Sequence, residues 1–186
     1  MSTRQKGLTL IELMVTLAVA IILVTVGMPL FSGMAANNRS TAEANTFLAA
    51  FKLARSEAVK RSAQVSICAV ADPKVTTVTC SNNSSDWTNG LMVFTDTGTA
   101  GTVDGTDVRV RVFAIPTTGS TSTASGSYVR YEPQGEADLL SLTANLACPA
   151  SGTCIELKRD DTQGSKTRCL HVMQSGQIRL ERAACS

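Results

Sequence analysis

Aromatic side chains make up only 4% of this 186-residue sequence, with a single tryptophan and a single histidine. General acid–base catalysis draws first on histidine. The one present, His171, falls in an apolar strand pattern with no nucleophile motif beside it, so it reads as a structural side chain. The glycines between Asp96 and Asp107 do not make a GxxxxGKS/T phosphate loop. No CxxC pair occurs either, which with one histidine argues against a zinc site. Asp96, Asp104 and Asp107 offer the oxygen ligands that calcium takes, but Asp and Gly at that density read first as a turn between strands. A large charge of one sign is missing too. The net charge is +2, and beyond Arg61 twelve acidic residues face ten basic ones, so any nucleic-acid binding must come from a local patch. These absences exclude a recognisable catalytic constellation. The chain is expected to be no enzyme and to need no cofactor or metal.

What the sequence does hold is an apolar run. From Leu13 to Phe31 there is no charged side chain, and a helix of that length spans roughly 28 Å, close to a bilayer's hydrocarbon thickness. Glu12 stands at its edge, where an unpartnered carboxylate costs on the order of 3 kcal/mol in lipid. Arg4 and Lys6 precede it and belong on the cytoplasmic side. Gly7 is a small residue suited to a peptidase cutting on that side, and a cut there frees an amine on Leu8. That amine, on this subunit or on a neighbour, is the cation expected to neutralise Glu12. An ordinary secretory signal fits less well, because its apolar core of about 7 to 15 residues carries no Glu and is cut after the core. The expected divisions are a leader at 1–7, a transmembrane helix at 8–31, an amphipathic continuation at 32–62 and a β-rich domain at 63–186.

Gly27 and Pro29 should bend or loosen the helix. Beyond them Ala44, Phe47, Leu48, Phe51, Ala54 and Ala58 fall on one helical stripe, with Lys52, Glu57, Lys60 and Arg61 off it and Glu57 and Arg61 spaced for an i,i+4 pair. From Val65 the composition turns to Val, Thr, Ser and Gly, a β signature. Strands are predicted at Val65–Val70, Val75–Cys80, Leu91–Thr95, Val108–Ile115, Tyr128–Glu132, Cys154–Lys158, Cys169–Met173 and Gln177–Glu181. In Val108-Arg-Val-Arg-Val the valines should face the core and Arg109 and Arg111 the solvent. Thr117–Ser127 reads as a flexible loop and Trp87 as a core anchor. The six cysteines all follow the anchor, on the oxidising side of the membrane. They permit about 15 pairings, among which neighbours are the expectation: Cys68 with Cys80, Cys148 with Cys154, Cys169 with Cys185.

The stretch Lys6-Gly-Leu-Thr-Leu-Ile-Glu-Leu resembles the class III signal of type IV pilins and type II secretion pseudopilins. The resemblance implies that a prepilin peptidase cuts after Gly7, that Leu8, where Phe is usual, is N-methylated, and that Glu12 guides subunit docking. Leu53-Ala-Arg-Ser-Glu-Ala-Val-Lys-Arg, Val65-Ser-Ile-Cys, Trp87-Thr-Asn-Gly-Leu-Met-Val-Phe-Thr-Asp and the terminal Ser-Gly-Gln-Ile-Arg with a late Cys are together similar to the GspH/FimT family of minor pilins and pseudopilins. The implied fold is α+β and type IV pilin-like, a long N-terminal helix packed on an antiparallel two-sheet domain. The implied function is that of a minor pilin in pilus assembly and priming; the alternative is a GspH-like minor pseudopilin of a type II secretion system. Implied partners are other major and minor pilins or pseudopilins, the prepilin peptidase and the bacterial inner membrane. The chain would cross that membrane once with its C-terminal domain periplasmic, and be extracellular when assembled. In FimT-type pilins a terminal Gly-Arg-x-Arg motif is implicated in DNA capture for natural transformation. Here Gly176-Gln177-Ile178-Arg179 keeps the glycine and the second arginine. If the basic tail binds DNA, sequence-independent phosphate contacts are expected at Lys166, Arg168, Arg179 and Arg182, long cations on adjacent strand ends that can follow a backbone, although a solvated strand face explains the same charges.

Overall fold

The computed structural model describes residues 7, 9–115, 120–138, 152–159, 166–183 and 185, with the backbone alone at 28–33, 35, 36, 152, 153, 159 and 166. Helix α1 runs from Leu10 to Arg61, and the chain divides into two compact units, Met1–Asn38 and Arg39–Ser186.

In the first unit the helix is apolar on every side. Leu10, Ile11, Leu13, Met14, Val15, Leu17, Val19 and Ile21 to Val24 are all exposed. Leu10–Gly27 is long and apolar enough to cross a membrane. The hydroxyls of Thr16 and Thr25 donate back to the Leu13 and Ile22 carbonyls at 2.9 Å, so neither needs a partner outside the helix. Helical backbone continues through Gly27 and Pro29. Proline there removes one N–H from the ladder without ending it.

In the second unit α1 buries Ser40, Glu43, Ala44, Phe47, Ala50, Phe51, Ala54 and Ala58 along one stripe, while Leu48 is partly buried against the same core. Alanine at half of those positions lets strands approach the helix axis closely. Trp87 fills the remaining space, with its ring stacked 6.3 Å from Phe47 and 6.0 Å from Phe51 and its indole N–H donating to the Gly126 carbonyl at 2.9 Å. Burying each such ring stabilises by roughly 1.5–3 kcal/mol. The helix ends at Ser62, a non-glycine residue at φ 50°, where the Ser62 N–H bonds the Val59 carbonyl and the Ala63 N–H reaches the Ala58 carbonyl. This is a Schellman cap with serine in the place usually given to glycine.

Among the described residues nine strands follow: β1 (Val65–Ala69), β2 (Gly90–Thr95), β3 (Arg109–Ala114), β4 (Ser120–Ala124), β5 (Tyr128–Tyr131), β6 (Ala137–Asp138), β7 (Gly152–Arg159), β8 (Lys166–Met173) and β9 (Ile178–Glu181). They form a five-stranded sheet in the order β3-β2-β1-β5-β6 and a four-stranded sheet in the order β4-β7-β8-β9, with every pairing antiparallel. Val65, Ile67, Leu91, Val93, Val129 and Tyr131 of the first sheet and Ile155, Leu157, Leu170 and Val172 of the second join the helix stripe in one core. The first sheet is also covered behind, where Cys68, Val70, Val78, Met92 and Phe94 form a second apolar cluster.

Three expectations fail for physical reasons. Val75–Cys80 is not a strand: β1 already pairs with β2 on one side and β5 on the other, so no edge is open beside it. That segment is held instead by the Cys68–Cys80 disulfide, Cα to Cα 5.6 Å, and the Ser81 N–H on the Ala69 carbonyl. Within the stretch read as a loop, Ser120–Ala124 is a strand paired with β7, its Ser120, Ser122 and Ala124 buried and Thr121 and Thr123 exposed; residues 117–119 of that loop lie outside the described residues. Val108 is 52% exposed rather than in the core. A bulge pairs Phe94 with Arg109 and Val93 with Arg111, which puts these two arginines on opposite faces. Arg111 then lies over the Phe113 ring, 4.7 Å from its centre.

Candidate functional site

Two regions carry the residues singled out by the sequence: the start of α1 and the sheet of β7, β8 and β9. At the first, Gly7 is exposed with open space around it, and Leu8 lies outside the described residues. Thr9 caps the helix. Its hydroxyl oxygen accepts the Glu12 N–H at 3.3 Å and its carbonyl accepts the Leu13 N–H at 3.2 Å. Thr9-Leu-Ile-Glu12 therefore has the spacing of a capping box, a local signal the sequence reading passed over. Glu12 is exposed, in the first turn, where the helix dipole favours a negative charge. The cap fixes its backbone, and its side chain is exposed to a cation from outside the helix.

In the second region the strands sort side chains by parity. Leu170 and Val172 face the helix, and so does Arg168 two residues earlier. Arg168 is 7% exposed, its guanidinium donating to the Ser40 hydroxyl at 3.0 Å and the Thr41 hydroxyl at 2.9 Å. This corrects its assignment as a phosphate contact. Burial lowers its pKa, with Arg182 adding a smaller repulsion. Glu43 of the same helical turn accepts from Ser122 at 3.1 Å. Together these bonds fasten the start of the packed helix to the second sheet.

Arg179 is on the other face, opposite His171, and pairs with Glu181 at 3.1 Å. Arg182 is exposed, and the Lys166 side chain lies outside the described residues. Arg168 and Arg179 thus lie on opposite faces of one sheet and cannot follow a single phosphate backbone. Gly176, read as part of a DNA motif, has a structural reason to be glycine: at φ +74°, an added Cβ would lie 1.9 Å from the Gly135 carbonyl oxygen. Arg55 reaches both turns there, donating to the Gly135 carbonyl at 2.9 Å and the Ser175 carbonyl at 3.0 Å. Arg55 falls within the stretch Leu53-Ala-Arg-Ser-Glu-Ala-Val-Lys-Arg. Nothing in its spacing marked it as a tie between helix and turns.

The aspartates near the third strand are turn-makers. The Asp107 carboxylate accepts from the Thr97 N–H and hydroxyl at 2.9 and 2.8 Å and from the Asp104 N–H at 3.1 Å, while Asp104 accepts from Thr99. Asp96 is buried and accepts from Ser66 and from the Gly101 N–H. Disulfides join Cys68 to Cys80 and Cys169 to Cys185; Cys154 is also disulfide-bonded, and Cys148 lies outside the described residues.

Comparison with known proteins gives two family matches. A family described as type II transport protein GspH matches residues 43–176, and one described as a prokaryotic N-terminal methylation motif matches residues 2–28. Among solved structures, the type IV minor pilin FimU of Pseudomonas aeruginosa in one crystal form superposes with a TM-score of 0.53 at 20% identity, covering 78% of this chain and 90% of that one. A second crystal form of FimU gives 0.45 at 19% identity, covering 80% and 91%. No curated protein matches the chain. At this identity the first likeness shows a shared fold: an N-terminal helix on two antiparallel sheets.

Proposed function

The chain belongs to the GspH family, and from that membership we propose that it is a minor pilin of a type IV pilus, acting in pilus assembly and priming. The observation that carries this reading is the N-terminal unit, a helix with large apolar side chains exposed all round and one carboxylate at its capped start. Such a helix is stable only in lipid or among other apolar helices. Membrane and filament supply these two settings in turn. The prepilin peptidase cuts between Gly7 and Leu8 on the cytoplasmic side, the new amine is methylated, and the helix spans the inner membrane with the sheet domain in the periplasm. Assembly then moves the helix from lipid to a bundle of pilin helices, where Glu12 docks on the terminal amine of a neighbouring subunit and the domain becomes extracellular. The second reading, a minor pseudopilin of a type II secretion system, is favoured by the description attached to the family match. The charge distribution does not favour DNA capture, since Arg168 is inside and Arg179 is paired with Glu181.

Two outcomes test the assembly mechanism. Mass spectrometry of filament-incorporated protein should find a mature chain beginning at methylated Leu8; a retained Met1 would contradict it. Glu12→Val should insert in the membrane as well as the parent, being more apolar, and fail to enter filaments. Normal incorporation would remove Glu12 from the docking step. Deleting the gene separates the two readings: loss of surface pili with secretion intact supports the pilin, and the converse supports the pseudopilin.

A further inference from the structure

On the face of the second sheet turned away from the helix, the strand register sets Cys154 directly opposite His171 and Cys169 opposite Glu181. The two sulfurs and an imidazole nitrogen lie within 4.8 Å of one another, and both sulfur-bearing residues are fully buried. Cys185 is bonded to Cys169, so a third sulfur is one covalent bond away. Tetrahedral zinc, with bonds of about 2.3 Å to sulfur and about 2.0 Å to nitrogen, needs its ligand atoms under about 4 Å apart. The cluster is within about an ångström of that arrangement. The imidazole is oriented for it: Nδ1 faces the Cys154 sulfur at 3.5 Å, while Nε2 faces the Glu181 carboxylate at 3.8 Å. A carboxylate on the far nitrogen is the usual support of a metal-bound histidine.

We propose that Cys154, Cys169, Cys185 and His171 form a latent zinc site, closed by disulfides in the oxidised chain and opened by a dithiol reductant. The thiolate of the dithiol attacks one sulfur of a bridge and releases the other as a thiolate. Its second thiol then closes the reductant's own disulfide, so two electrons and two protons pass to the protein pair. Two dithiols open the bridges at Cys154 and at Cys169–Cys185. Zinc then binds three thiolates and Nδ1, releasing three protons. The net charge of the site becomes −1, with the Arg179–Glu181 ion pair beside it on the neighbouring strand. No CxxC marks the site because its ligands come from paired strands and the chain's end. Zinc would cross-link that end to β7 and β8 when the bridges are open, holding the sheet together in the reduced chain.

The test is a Co2+ titration of the full chain in detergent, oxidised or reduced by a phosphine under nitrogen. The reduced chain should take one equivalent, with a thiolate-to-cobalt charge-transfer band that Zn2+ displaces, and the oxidised chain none. His171→Asn should weaken binding at least ~10-fold, and Glu181→Gln, a surface change that leaves every ligand in place, ~10-fold. Replacing Cys68 and Cys80 with Ser, on the other sheet, should leave the band unchanged. Far-ultraviolet dichroism should show the sheets retained in the reduced zinc form. No cobalt uptake by the reduced chain overturns the proposal. Uptake that is indifferent to both His171→Asn and Glu181→Gln also overturns it, because it means an unfolded, thiol-rich chain is collecting metal.

Discussion

Single residues carry much of what holds the helix to the sheets. Ser62 has the left-handed backbone that L side chains adopt at a cost of roughly 1–2 kcal/mol and glycine adopts freely. Ser62→Gly should therefore raise stability by about 1 kcal/mol in denaturant unfolding, with the two backbone bonds of the cap retained. Arg168→Gln removes hydrogen bonds to Ser40 and Thr41 in a buried setting, and should cost about 1–3 kcal/mol in the same measurement, while Arg182→Gln at the exposed tail should cost almost nothing. That contrast was latent in the sequence. Arg168 shares parity with Leu170 and Val172, so an inward arginine follows once those two are taken as core. The motif reading instead grouped it with Arg179 by charge and nearness in sequence. Gly176 shows the same limit, because the carbonyl of Gly135 that excludes a side chain there comes from a distant turn.

At the level of elements, the long helix was legible because its signals are local: an uncharged run to Phe31, then a stripe from Ala44 to Ala58 with its charges off the face. The strands that escaped are those without an apolar rhythm. Strand β4 presents Ser120, Ser122 and Ala124 inward, small residues that register in the sequence as loop composition. The false strand at Val75–Cys80 has the right residues but no open edge to pair with, which depends on the order of the whole sheet. The loop joining β2 to β3 is held by charge. Burial pushes the Asp107 carboxyl up, yet the hydrogen bonds from Thr97 and Asp104 outweigh it, and its pKa is lowered. A lowered pKa means stability that is present above the ordinary carboxylate range and lost as pH falls through the folded value. Acidification below about pH 4 should loosen this loop, seen as lost amide protection at Thr97 and Asp104. Asp107→Asn should abolish that pH dependence.

Across the whole molecule, covalent and non-covalent fastening are kept apart. Both described bridges and the bonded Cys154 lie on sheet faces turned away from the helix, whereas α1 is held by its apolar stripe and by the bonds from Arg55, Arg168 and Glu43. In a subunit anchored through its N-terminus, a pulling force enters along α1 and must leave through the sheets. The tension then crosses a seam of side-chain contacts loaded in shear before it reaches the cross-linked sheets. Because the seam has only side-chain contacts and the sheets have covalent bridges, a chain held by its helix and pulled would be expected to yield at the seam first, like a mechanical fuse.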